Sequence, residues 1–348
     1  MKGRRRISTR PGGRVAARLR AGACALTLLT AGCASEANSP SILRSSGLGA
    51  LDVERLWWIL FAISAAVFAI VMALVFVALV RRNRPPVQVS GPEEEVPWGG
   101  RFILLAGVVI PAVILTGTFA LTLHEMSLLD TSGRHPAFTI QVIGHDWWWE
   151  ARYPNGAVTA NEIHIPTGQT VRVDLTTADV IHSFWVPQLQ VKTDMIPGRS
   201  NHTWLRTSSP GRYRGQCAQF CGLQHAHMIF YVVADPPQVF QSWLAGQAAP
   251  AATPDTAQAA AGERTFLTST CTGCHTIRGT GAAGVVGPDL THLASRQTLA
   301  AGTLANTPGN LAEWITDPQH VKPGAEMPPT GLTPAQAQAL VAYLESLH

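Results

Sequence analysis

The chain has 348 residues, of which 46% are hydrophobic and only 14% charged, and a formal net charge of +4. That balance is too apolar for a purely soluble globule and points to membrane spans. The positive charge is no reason to expect nucleic-acid binding: eight basic residues and no acid fall in residues 1–32, leaving a net −4 on the rest.

Residues 1–32 read as an export signal of the lipoprotein type. A basic stretch precedes a short apolar run from Ala21 to Thr30, too short to cross a bilayer. The run ends in Leu29-Thr30-Ala31-Gly32-Cys33, which resembles a bacterial lipobox. The resemblance implies cleavage before Cys33 and a lipid on its thiol, although Thr30 stands where the motif prefers an aliphatic residue. A plain signal anchor with an idle cysteine is the alternative.

After an N-terminal segment, 33–55, two uncharged runs follow, Leu56 to Val80 and residues 102–123. Each matches the ~20 apolar residues a helix needs to span the hydrocarbon core. They predict a transmembrane helix hairpin over 56–124, with Pro111 tolerated inside the second helix. Arg81, Arg82, Arg84 and Arg101 flank the connecting loop, which places it in the cytoplasm and both outer ends outside. Glu93, Glu94 and Glu95 in that loop count for little in this orientation rule.

From Phe138 onward the pattern turns to short β-branched runs: Phe138–Ile143, Thr170–Leu175 and Met228–Val233. Turn signals such as Pro154-Asn155-Gly156 and Pro210-Gly211 separate them. The expectation is a Greek-key β-domain over 135–245, closed by a short helix near Gln238–Leu244. Residues 246–260, rich in Ala, Pro, Thr and Gln, predict a flexible or semi-extended linker. A small helical domain, 261–348, is expected beyond it, with helices at Glu263–Thr270, Asn310–Thr316 and Pro334–Ser346.

The densest chemistry lies in Cys217-Ala218-Gln219-Phe220-Cys221-Gly222-Leu223-Gln224-His225-Ala226-His227-Met228. Thiolates, imidazole and thioether together suit copper. The segment Asp179-Val180-Ile181-His182-Ser183-Phe184 can bring in a second histidine. A disulfide between Cys217 and Cys221, or the Cys-x3-Cys of a copper chaperone, explains the cysteines but not His225 and Met228 at their spacing.

With the Lys192–Arg199 segment between them, these motifs resemble subunit II of haem–copper cytochrome c oxidases, whose cupredoxin domain holds a dinuclear copper centre, CuA. The resemblance implies that Cys217 and Cys221 bridge two coppers and that His182 and His225 cap one each. It implies Met228 and the backbone carbonyl of Gln219 as weak axial ligands. Gln219 stands where most of the family has Glu, which removes a charge that helps hold magnesium against subunit I. His227 reads as a surface or supporting residue, and His164 and His202 have no ligand context. The run Gly144-His145-Asp146-Trp147-Trp148-Trp149-Glu150 resembles the family's aromatic patch near the copper. Trp147 is then the candidate residue through which electrons enter; core packing or interface burial is the alternative for it and the expectation for Trp148 or Trp149.

Cys271-Thr272-Gly273-Cys274-His275 is the signature of covalent haem c attachment, with His275 placed to ligate the iron. No further Cys or His pair follows at a spacing suited to zinc. Met327, in Gly324-Ala325-Glu326-Met327-Pro328-Pro329, is the expected second iron ligand, ahead of His292 and His320. This part resembles a class I cytochrome c, which is all-α.

From Cys33 to the end, the whole resembles subunit II of a caa3-type oxidase in a bacterial cytoplasmic membrane, with both redox domains on the outer side. The implied partners are subunit I, with haem a and the haem–copper centre, subunit III, and cytochrome c or an upstream cytochrome complex as donor. The implied task is passing electrons from haem c through CuA to haem a for oxygen reduction and proton pumping. A CuA and haem c subunit of another terminal reductase, or a copper-delivery protein, are the alternatives.

Overall fold

The computed structural model describes residues 40–81, 97–129 and 135–348. The export signal, Cys33 and Glu93–Glu95 lie outside the described residues.

Helix α1, Leu48–Arg81, has 34 residues. At 1.5 Å per residue it measures ~51 Å, against ~30 Å of hydrocarbon core. It therefore begins eight residues before the uncharged run. Asp52, Glu54 and Arg55 mark where an apolar environment ends, not where a helix must end. The extra turns reach the β-domain: Gly47 bridges to Thr207, its N–H donates to the Gln188 carbonyl, and Ala50 is buried. The second apolar stretch runs as α2, Pro97–Leu104, a π-turn at Leu105–Val109, and α3, Ile110–Leu129. The Ile110 N–H reaches back to the Leu105 carbonyl. This wider turn directly precedes Pro111, which has no N–H to give. Both helices are long and apolar enough to cross a membrane.

The β-domain has ten strands: β1 Phe138–His145, β2 Trp148–Arg152, β3 Val158–Ala160, β4 Glu162–Pro166, β5 Val171–Thr177, β6 His182–Trp185, β7 Thr193–Met195, β8 Asn201–Leu205, β9 Gly211–Cys217 and β10 Ile229–Asp235. They form two five-stranded sheets, ordered β3-β2-β1-β5-β8 and β4-β10-β9-β6-β7. The inward residues alternate along β1, β5 and β10, the period a half-buried strand requires. Ile140, Val142, Val173 and Leu175 from one sheet meet Phe184, Met195, Phe230 and Val232 from the other. This is the cupredoxin-like sandwich the sequence leads one to expect. Helix α4, Pro237–Ala248, closes it, with Phe240 buried and stacked 5.4 Å from Phe138.

The C-terminal domain consists of α5 Ala257–Thr268, α6 Pro308–Thr316, the single turn α7 Pro318–Val321, and α8 Pro334–Glu345. A two-residue ladder, β11 Thr298–Leu299 with β12 Leu304–Ala305, is its one extended element among the described residues. Thr307 and Thr333 cap α6 and α8, each followed by Pro at the first helical position. Helix α5 crosses α8 at Gly262, where a Cβ would fall 2.0 Å from the Ala339 carbonyl oxygen.

The expected linker 246–260 is corrected on two counts. Helices α4 and α5 claim both of its ends, leaving 249–256 between them. The remainder is tied down: Ala251 N–H donates to the Arg278 carbonyl and the Ala249 carbonyl contacts His292 Nε2 at 3.1 Å. Ala-rich composition is compatible with helix as well as linker, and tertiary contacts decide between them.

Candidate functional site

The strand register builds one end of the sandwich into a ligand cluster. Phe184 on β6 pairs with Cys217 at the end of β9, and Ile229 on β10 pairs with Gln216. His182, at the start of β6, and Met228, just before β10, therefore converge on Cys217. The loop from Cys217 to Met228 returns Cys221 and His225 to the same place. Both cysteines are buried, and no disulfide joins them in the structure.

Cys217 Sγ lies 3.8 Å from Cys221 Sγ, 3.9 Å from His182 Nδ1 and 3.1 Å from the Gln219 carbonyl. Cys221 Sγ lies 3.6 Å from His225 Nδ1 and 3.8 Å from Met228 Sδ. All six expected donors thus lie within one small cluster, and Met228 and His182 are fully buried. Two thiols, two imidazoles and a thioether are the donor set that soft copper takes. Gln219 is solvent-exposed, and only its backbone carbonyl is placed in the cluster.

The electrostatics divide the two thiols. The Cys221 hydrogen bond holds Cys217 well below the usual thiol range, while the same contact pushes Cys221 up. Burial opposes charge on His182, but hydrogen bonds with Asp179 and Cys217 raise its pKa to about 9. Asp179 Oδ1 contacts His182 Nε2 at 2.8 Å and also accepts the Val180 N–H, while its Oδ2 accepts the Asp146 N–H. Asp179 thus holds the ring by Nε2 and turns Nδ1 toward the sulfur, the atom that would ligate a metal there. Sequence reading quoted Asp179 but missed this role; its place three residues before His182 is the available signal.

The three adjacent indoles separate: Trp148 and Trp149 alternate on β2, and Trp147 lies in the turn before it. Trp149 is fully buried between Phe184 and Phe230. Trp148 stacks on His145 at 4.3 Å. Trp147 is half-buried and donates its Nε1–H to the Cys221 carbonyl at 2.8 Å.

Trp147 also walls a largely apolar cleft in the C-terminal domain, shared with Cys271, Cys274, His275, Met327 and Arg296. His275 Nδ1 lies 2.8 Å from the Pro288 carbonyl, and burial lowers the ring's pKa. The ring is thus a neutral imidazole with Nδ1–H bonded to the carbonyl and Nε2 free to ligate. A Cβ on Gly287 would fall 2.5 Å from that ring, so only glycine leaves it room. Met327 faces the same cleft on a loop held by Gln319, which donates to the Ala325 and Met327 carbonyls and accepts from the Gly324 N–H. Sequence reading missed Gln319, which no local pattern marks. His292 instead contacts the carbonyls of His348 and Ala249, and His320 is exposed near Glu313. His164 contacts Asp235 and stacks on Trp243, a structural role.

Comparison with known proteins agrees with this division. Residues 157–235 match the family model "Cytochrome C oxidase subunit II, periplasmic domain", and 259–348 match "Cytochrome c". The chain is 34% identical to cytochrome c oxidase subunit 2 of Alkalihalophilus pseudofirmus, over 92% of this chain and 94% of that one. It is 32% identical to the Bacillus subtilis protein of the same name, over 77% and 78% of the two chains. Among solved structures it resembles the periplasmic domain of cytochrome oxidase subunit II of Bradyrhizobium japonicum, at 32% identity and TM-score 0.32, covering 32% of this chain and 94% of that one.

Proposed function

Since the chain belongs to the cytochrome c oxidase subunit 2 family, we propose that it receives electrons on a haem c of its own and hands them, through a dinuclear copper centre, to a partner subunit that reduces oxygen. The observation that carries this reading is Trp147, which lines the cleft shared by Cys271, Cys274, His275 and Met327 and donates a hydrogen bond to the backbone of Cys221.

Cys217 and Cys221 would bridge two coppers, with His182, His225, Met228 and the Gln219 carbonyl completing the set. Cys271 and Cys274 would carry the haem covalently, with His275 and Met327 on its iron. When bound, these groups supply one-electron chemistry. The chain supplies rigidity: ligands fixed by three strand ends and by Asp179 need little rearrangement when charge changes. Trp147 offers a route from the cleft wall, across Nε1–H to the Cys221 carbonyl, and along one residue to its sulfur. Holding the two domains in one chain makes their encounter intramolecular, independent of a free carrier's diffusion.

On this reading the two apolar helices span the cytoplasmic membrane and both redox domains lie outside it. Subunits I and III, and a cytochrome donor, are the partners. The exposed, uncharged Gln219 gives no support to a magnesium ion at the subunit I contact. Burial of both cysteines and Met228 disfavours a delivery protein, whose copper must exchange. Purification of the membrane complex, with copper and haem analysis and oxygen uptake on reduced cytochrome c, tests the assignment. A preparation that holds both groups but consumes no oxygen would point to a different terminal reductase.

A further inference from the structure

A buried cation crosses from the C-terminal domain into the β-domain. Lys322, just after α7, is 3% exposed. Its Nζ donates to the carbonyls of Trp147 at 2.7 Å, His227 at 2.8 Å and Ala300 at 3.2 Å. The first two belong to the β-domain and flank the copper cluster; the third belongs to the C-terminal domain. Three carbonyls match the three donors of an ammonium group. No carboxylate pairs with Lys322 among the described residues. Unpaired buried lysines are rare because dehydrating the charge is costly. Burial pulls this one's pKa down to about 7. A residue needed only to fill space would be apolar.

The surroundings share the same design. Ala300 and Ala301 sit at φ of 49° and 56°, a region that residues with a Cβ seldom adopt. That strained turn presents two successive carbonyls at the seam: Ala300 holds Lys322 from within the C-terminal domain, and Ala301 crosses to the Ile229 N–H at 3.0 Å. Gln224 Nε2 donates to the Pro323 carbonyl at 2.6 Å, and the Gln297 N–H donates to Glu162 Oε1 at 2.9 Å. Beside them, a Cβ on Gly324 would sit 2.9 Å from Leu223 and 3.7 Å from the Trp147 ring.

We propose that Lys322 is a positioning residue that locks the haem-binding domain onto the copper loop, fixing Trp147 between the two redox sites. The functional half of this rests on the electron-transfer reading above; the docking half does not.

The test uses the full chain in its purified complex, as K322M and K322R. Methionine matches the bulk of lysine and leaves the Trp147 and His227 carbonyls without a donor, while Ala300 keeps Thr303 Oγ1; arginine restores donors. In K322M, hydrogen exchange at the Ile229 and Gln297 amides should rise about tenfold or more, as the seam opens locally. Exchange in the interiors of β5 and α8 should hold steady. The rate from reduced haem to copper should fall about tenfold or more, because misplacement on the ångström scale is costly. Haem and copper spectra should not change, and K322R should recover part of both losses. Unchanged exchange at the seam in K322M overturns the proposal. So does exchange that rises throughout a domain, or loss of haem or copper, since either places Lys322 in folding or in the cleft it also borders instead. A loosened seam with wild-type electron transfer overturns the functional half. Absence of copper or haem from the wild-type complex would sink the assignment itself, while the exchange result would still judge the docking.

Discussion

Trp147 donates its indole N–H to the main chain of Cys221 at 2.8 Å, while the same ring borders the cleft that holds His275 and Met327. One side chain therefore touches both candidate redox sites. W147A should slow haem-to-copper transfer by roughly 10²-fold, the scale on which lost positioning acts. W147F, which keeps a ring and loses the hydrogen bond, should fall between. Flash-initiated kinetics on the complex read this directly, with both spectra unchanged. Equal rates in all three proteins would reduce Trp147 to packing.

Gln319 makes three hydrogen bonds to the loop carrying Met327. Q319A should cost about 1–3 kcal/mol of local stability, since it leaves the half-buried Ala325 and Met327 carbonyls unpaired. The loop then opens more often, and an external ligand such as imidazole should displace the methionine more readily. Ligand titration followed by the haem spectrum measures it. An affinity equal to wild type contradicts the clamp.

A side chain at Gly287 collides with the His275 ring, because the ring fills the space where a Cβ would go. G287A should destabilise the domain by about 1–3 kcal/mol, the usual cost of overpacking. It should also weaken the iron–histidine bond in resonance Raman spectra. M327H, by exchanging thioether for imidazole, should lower the haem potential. A potential that stays at the wild-type value would remove Met327 from the iron.

Glu150 is buried on β2 beside His145 and Arg152. Burial alone would raise its pKa, but hydrogen bonds from both neighbours win and hold it below the usual value. A lowered native pKa stabilises fully above the unfolded value, about 4.3, and that contribution is lost as pH falls through the native one. E150Q should therefore flatten the acid side of the thermal-stability profile and lower the neutral-pH midpoint. Melting curves taken through the acid range check this; an acid limb as steep as wild type would contradict it.

Local chemistry was legible in the sequence to the extent that it is local. The Cys217–Met228 loop and the Cys271–His275 motif carry their donors within a few residues. Charge located the membrane-compatible stretches but not the helix ends, since α1 continues through Asp52, Glu54 and Arg55. Ala-rich composition misread the linker, because docking to Arg278 and His292 decides its course. Lys322 was invisible for a deeper reason: its partners Trp147 and His227 lie far away in sequence and accept through backbone carbonyls, which leave no trace in residue type. The strained Ala300-Ala301 turn is equally silent, as nothing but the fold asks alanine to adopt it.

The account stands on two metal ions sharing the sulfurs of Cys217 and Cys221. Copper analysis joined to electron paramagnetic resonance on the purified full-length complex tests it most directly. Two coppers at this site, with one unpaired electron spread over both, is the predicted result. A single copper with an ordinary one-ion resonance would contradict it.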